Sequence, residues 1–234
     1  MLLSIIRQNQ KLAAKRNPAF DRNRFAKFLI YFMVAFWAAY LIFIGVMLSF
    51  AFEDIFPSME PYHIMNQGLI YLLILDFLLR FMLQPAMSQE IKPYLLMPVK
   101  KNKLVDTLLL QSGISSYNFF WFFLIIPFAL LTIIRFYGLT GILCYLCGIW
   151  LLMAMNSYWY LICKTLLNEK LLYILLPIGV YGLLAGAEFI PEGNPVSTFM
   201  MNLGEGFIEG NILAFLGVIA AILLLLLVNR KLQL

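Results

Sequence analysis

Apolar residues run through this chain in stretches too long for one face of a soluble helix and too continuous for strands. Residues 28–52 carry no charge, and 25 helical residues rise about 37 Å, more than the roughly 30 Å hydrocarbon core of a bilayer. Comparable stretches follow at 64–83 (interrupted by Asp76 and Arg80), 112–134, 139–163, 171–190 and 212–228. Each approaches or exceeds the ~20 residues that a helix needs to cross a membrane. The pattern predicts an all-α polytopic integral membrane protein with about six transmembrane helices. The connection at Arg135 to Gly138 is so short that spans three and four must form a tight antiparallel hairpin. Pro127 and Pro177 fall inside spans three and five, where each removes a backbone hydrogen bond and is expected to kink its helix.

The first 27 residues differ from the rest. Projected at 100° per residue, Leu2, Ile5, Ile6, Leu12 and Ala13 share one arc, with Arg7, Lys11 and Lys15 opposite. That arrangement predicts an amphipathic helix lying in the membrane interface, its basic face among anionic lipid headgroups, ended by Asn17 and Pro18. A disordered basic arm is the competing reading. The basic residues follow the first short apolar stretch, so the segment does not resemble a cleaved signal. Residues 1–27 are thus expected to be a cytoplasmic interfacial helix with a basic segment, and 28–234 the six-helix membrane domain.

Composition agrees: of 234 residues, 63% are apolar and only 12% are charged, against about 25% in ordinary soluble domains. Loops this short leave no room for a nucleotide-hydrolysing domain. The net charge of +5 would suggest nucleic acid in a soluble protein, but here its distribution argues for membrane topology instead. Lys92, Lys100, Lys101 and Lys103 lie between spans two and three, Lys164 and Lys170 between four and five, Arg230 and Lys231 after six. Glu53, Asp54 and Glu60 lie between spans one and two, and Arg135 is the one basic residue assigned to that side. The positive-inside rule places both termini in the cytoplasm. Glu188, Glu192, Glu205 and Glu209 then fall at the outer side, as tolerated acids or as a cation-attracting surface.

Sites for chemistry are few. His63, the one histidine, lies at an outer loop end without converging ligands, Cys144 and Cys147 read as packing residues, and no metal or cofactor site is expected. No Gly precedes a Lys, so the phosphate-binding loop is missing and any ATPase must be a separate polypeptide. An ionisable residue at mid-bilayer costs at least about 2.5 kcal/mol, which singles out Asp76 and Arg80. Four residues apart, they share a helix face and can pair; the alternative is a proton or substrate path. Gly182 and Gly186 form G-x-x-x-G, a face on which another helix can pack closely.

The stretch QPAMSQEIKPYLLMPVKKNKLVDTLLL, 84–110, is apolar for a cytoplasmic loop. Pro93 and Pro98 bracket Tyr94, Leu95, Leu96 and Met97, and Lys100, Lys101 and Lys103 follow. This combination suits a docking surface for a partner, or a segment packed on the protein's own helices. LLMPVKKNKLV between spans two and three resembles the L-P-[IV]-basic segment of ABC-2-type export permeases. The longer run from D-x-x-x-R at Asp76 through Gln84, Pro93 and Pro98 is similar to an uncharacterised Bacteroidota family of ABC-2-like permeases. The resemblance implies a bacterial inner-membrane permease whose coupling segment, about 84–107, meets a cytoplasmic ABC-type ATPase through Pro93, Tyr94, Leu95, Leu96, Pro98, Lys100, Lys101 and Lys103. Members of the narrower family are about twice as long, which implies that this chain is one half or one part of a longer permease. Six helices line half a pathway, so a second permease copy or half is expected. The re-entrant helix pair between spans five and six is at most shortened, within 191–211. A secondary transporter or channel using Asp76, or a membrane scaffold, is the alternative function.

Overall fold

The computed structural model describes residues 4, 6, 8, 9, 12, 24–84, 94, 100–191 and 193–233, without the side chains of residues 24, 26 and 116. Among these the protein is helical, with no strand. The main helices are α1 (Arg24–Ile55), α2 (Pro61–Leu83), α3 (Lys101–Gly113), α4 (Phe122–Leu131), α5 (Ile134–Glu169), α6 (Leu175–Phe189), α7 (Pro195–Ile208) and α8 (Ile212–Gln233). Short 3-10 turns at Ser116–Phe119 and Leu171–Ile174 lead into α4 and α6. Five helical stretches are long and apolar enough to cross a membrane: Lys27–Ile55, Pro61–Leu83, Ile134–Glu169, Leu171–Phe189 and Ile212–Gln233.

The third span departs from expectation. Instead of one helix over 112–134, two helical units, Lys101–Phe119 and Phe122–Leu131, meet at a bend of 57°, and a sixth crossing exists only if that pair is counted as one. The α-helical part of the first unit ends in the polar run Ser112 to Asn118, just before the bend. Asn118 Nδ2 donates to the Gly113 carbonyl at 2.6 Å and to that of Ser112 at 3.4 Å. A side chain thus replaces the next turn's amides at the end of α3. Pro127 lies inside α4, which continues through it to Leu131. Pro177 sits in the first turn of α6, where a missing N–H removes no intrahelical bond.

Contacts fix the directions. Tyr62 meets Phe136 and Tyr137, Asn66 meets Tyr145, and Gln84 meets Tyr160, so α2 and α5 run parallel. Trp121 at the start of α4 reaches Asp76, whereas the chain just beyond α4 reaches Tyr62. Helices α4 and α5 therefore form the expected antiparallel hairpin. Its corner is Thr132 and Ile133, followed by one helical turn and a break at Gly138, whose φ of 63° suits glycine.

The segment 191–211, expected to hold at most a shortened re-entrant helix pair, contains α7 packed antiparallel on the first half of α2. His63 lies opposite Glu205 and Gln67 opposite Met201. Pro195, ten residues before Glu205, is therefore about 15 Å further along α2, level with Leu73. Helix α6 approaches the same level from the other end, with Tyr181 against Phe77. Helix α7 thus covers the first half of α2, and α6 touches the second half through Tyr181.

The main core, including Leu69, Leu73, Ile125, Phe128, Ile149, Leu152 and Phe207, lies between α2, α4, α5 and α7. A second cluster at the other end of α2 joins Phe77, Leu104, Val105, Leu108, Tyr158 and Tyr160. Ser4, Ile6, Gln8, Asn9 and Leu12 are helical. Ile6, expected at the acyl boundary, is instead buried in this second cluster, and Leu12 is exposed. The other residues of the expected interfacial helix, Leu2, Ile5, Ala13, Arg7, Lys11 and Lys15, lie outside the described residues.

Candidate functional site

Helix α2 carries its polar residues on its buried stripe. Asn66, Leu69, Leu73, Asp76 and Arg80 recur at spacings of three and four and are all buried. Helix α5 presents the matching stripe Tyr145, Ile149, Leu152, Asn156 and Tyr160. Parallel packing of the two stripes brings their polar members together at three levels.

At the middle level Asp76 is the hub. Arg80 Nε donates to Oδ2 at 2.6 Å, Asn156 Nδ2 to the same oxygen at 2.7 Å, and Trp121 Nε1 to Oδ1 at 2.8 Å. Asn156 also donates to the Leu73 carbonyl at 2.9 Å. Three donors from α2, α5 and the start of α4 thus hold a carboxylate that is 3% exposed.

At the outer level, taking Tyr62 as the outer end, Tyr145 Oη donates to Asn66 Oδ1 at 2.9 Å. A Cβ on Gly204 would meet the Asn66 amide at 2.4 Å, and one on Gly148 would meet the Phe207 ring at 2.2 Å. These two glycines let α7 lie directly on α2 and α5. His63 Nδ1 pairs with Glu205 Oε1 beside a cleft of about 490 Å³ that Glu53, Phe56, Glu60 and Met201 help to line. His63, placed by the sequence at a loop end, is therefore a contact between α2 and α7. Among the described residues no three His, Cys, Asp or Glu side chains converge as metal ligands would. Glu188, expected at the outer surface, is buried. It accepts from the Val196 and Ser197 amides at 3.0 and 2.9 Å and from Ser197 Oγ, and so caps the N-terminus of α7.

At the inner level Lys164 Nζ donates to the carbonyls of Phe81 and Gln84 at 2.6 and 2.9 Å, and Tyr160 Oη to Gln84 at 2.9 Å. The last carbonyls of α2 are thereby tied to α5. The Lys164 ammonium also sits 5.0 Å from the Phe81 ring centre.

The chain belongs to the DUF5687 family. This family, described as one of unknown function, matches residues 10–234. No curated protein and no solved structure is similar enough to match. In this DUF5687 member the polar groups of α2 and α5 thus meet at three levels.

Of the residues singled out from sequence, Asp76 and Arg80 are brought together, and Trp121 and Asn156 join them unforeseen. Tyr94, expected to be presented to a partner, is buried among Ile6, Phe77, Leu104 and Leu108. Its ring is better served by the apolar cluster than by water. Lys100, Lys101 and Lys103 are exposed at the start of α3. Pro93, Leu95, Leu96 and Pro98 lie outside the described residues. A Cβ on Gly182 would meet nothing within 4 Å, and one on Gly186 only Ile190 of its own chain segment. The close helix packing expected at these two occurs at Gly148 and Gly204 instead. The signal for α7 was in the sequence: Asn194 and Pro195 before an apolar-periodic run are a helix start.

Proposed function

We infer that this protein is the membrane-embedded permease subunit of an exporter of ABC-2 type, driven by a separate cytoplasmic ATPase through the segment 84–107. The observation that carries this reading is how both ends of that segment join the bundle. At one end Gln84 is bonded to Tyr160 and Lys164 of α5. At the other, Leu104, Val105, Leu108 and Leu109 of α3 are buried against the same end of the molecule. Asp106 and Tyr158 add bonds from α3 to α8 and α5. A push on the intervening residues is therefore delivered to α2, α5 and α8 together. The three exposed lysines present positive charge suited to an acidic soluble surface.

In this reading the chain crosses a bacterial cytoplasmic membrane six times with both termini inside. The bent pair of α3 and α4 makes the third crossing, and α6 with α7 makes the fifth. The open glycine face of α6 is available to a second permease copy or half, and transport proceeds by alternating access. The substrate is left to experiment. Pull-down of the full chain from its native membrane in mild detergent should recover an ATPase with a phosphate-binding loop. Replacing Leu95 and Leu96 with Ser should remove it, and charge reversal at Lys101 should weaken it in a salt-dependent way. Recovery of no nucleotide-binding partner, or unchanged recovery with the double Ser variant, would overturn the reading.

A further inference from the structure

Arg80 is 1% exposed, yet only its Nε is engaged, by Asp76. Both outer nitrogens, Nη1 and Nη2, are buried and have no hydrogen-bond partner among the described residues. Arginine and carboxylate frequently pair through two parallel N–H groups. Here Asp76 also accepts from Trp121 and Asn156, and the far edge of the guanidinium faces no acceptor. A buried donor left unmade costs about 1–3 kcal/mol, and more when charged. The other orphaned donors, Asn66 Nδ2 and Trp150 Nε1, are single and neutral. Arg80 has two on one charged head.

Charge points the same way. Lys164 places its ammonium on the carbonyl of Phe81, the residue after Arg80. Among the described residues, this end of the α2–α5 interface thus holds two cations against the one carboxylate of Asp76. Of the nearby acids, Asp106 is paired with Arg230 and Glu169 is exposed. Water can accept an N–H bond but cannot offset the surplus charge. A group with two oxygens and a negative charge does both, in the planar fork geometry that distinguishes arginine from lysine.

We propose that the Nη1 and Nη2 fork of Arg80 binds an oxyanion, a phosphate or carboxylate group, at the inner end of α2. Arg80 is three residues from the helix end at Leu83, about 5 Å by helical rise. Asp76, Trp121 and Asn156 act as positioning residues that hold the guanidinium by its Nε side.

The test uses the purified full chain in neutral detergent, with the thermal unfolding midpoint read against two probes. One is inorganic phosphate, compared with chloride at equal ionic strength; the other is short-chain phosphatidylglycerol, compared with phosphatidylcholine. A saturable rise with phosphate identifies a free oxyanion site, and a rise with phosphatidylglycerol alone identifies a headgroup site. No saturable rise with either probe means that water alone meets the fork, and overturns the proposal. The rise should vanish in the double variant Asp76→Asn, Arg80→Gln, which removes the whole buried pair; persistence there also overturns it. Arg80→Lys keeps the charge and loses the fork. It should raise the half-saturating concentration about tenfold or more, and an unchanged value would be fatal even if the double variant gave no folded protein.

Discussion

Gly204 and Gly182 look alike in sequence, each a glycine in an apolar helix, and the structure separates them. A methyl group at Gly204 would displace the Asn66 amide and with it the bond from Tyr145, whereas one at Gly182 meets open space. Gly204→Ala should therefore lower stability by about 1–3 kcal/mol, while Gly182→Ala, which also gains helix propensity, should not lower it. Unfolding midpoints of the two variants in the same detergent check this, and equal midpoints would contradict the packing described for α7. The ion pair of Asp76 and Arg80 was legible because its spacing of four is local. Trp121 and Asn156, separated from Asp76 by 45 and 80 residues, were not, because nothing local distinguishes a polar side chain that meets a distant partner from one that meets none. The polar residues Asn66, Asp76 and Arg80 on one stripe of α2 were the readable hint that a facing helix must answer them.

Helix positions were legible wherever the apolar run was long. Helices α1, α2 and α8 match the hydropathy pattern within a few residues at each end. The break between α3 and α4 was lost because a hydropathy average over twenty residues absorbs Ser112, Gly113 and Asn118, although these few polar groups decide where the helix stops. Helix α7 was lost for the opposite reason. Its acids Glu205 and Glu209 lower the average, but Glu205 is answered by His63. Glu188 anchors the other end of α7, and its role is specific to the charge at a helix N-terminus. Glu188→Gln should weaken that end by about 1–2 kcal/mol. Hydrogen exchange should accordingly quicken at the first-turn amides of α7 and stay unchanged in α2. Uniform quickening across both helices would indicate global destabilisation and refute the local anchor.

At the scale of the whole molecule, the distribution of lysine and arginine predicts sidedness that the helix directions respect: Gln84, Lys164 and Arg230 lie at one end, and Glu53 with Arg135 at the other. Single cysteines at Ser58 and Asn211 should react with an impermeant thiol reagent in intact cells, and one at Asn102 only after lysis. Reaction at Asn102 in intact cells would invert the orientation. Asn194 belongs to a different class, since the break between α6 and α7 lies level with the middle of α2. It should react poorly from either side. Helix α1 shows how unevenly such a bundle is fastened. From Lys27 to Trp37 every residue whose side chain is described is exposed, and Leu41 is the first buried one. Past that point α1 is clamped, with Phe52 on Phe128 of α4 and Glu53 bonded to Arg135. From Lys27 to Tyr40, fourteen residues and about 21 Å, α1 is hardly covered by the rest of the bundle. A tilt of about 5° at that clamp would swing Lys27 by about 2 Å, so a small adjustment where α1 meets α4 is carried along the helix to its basic end.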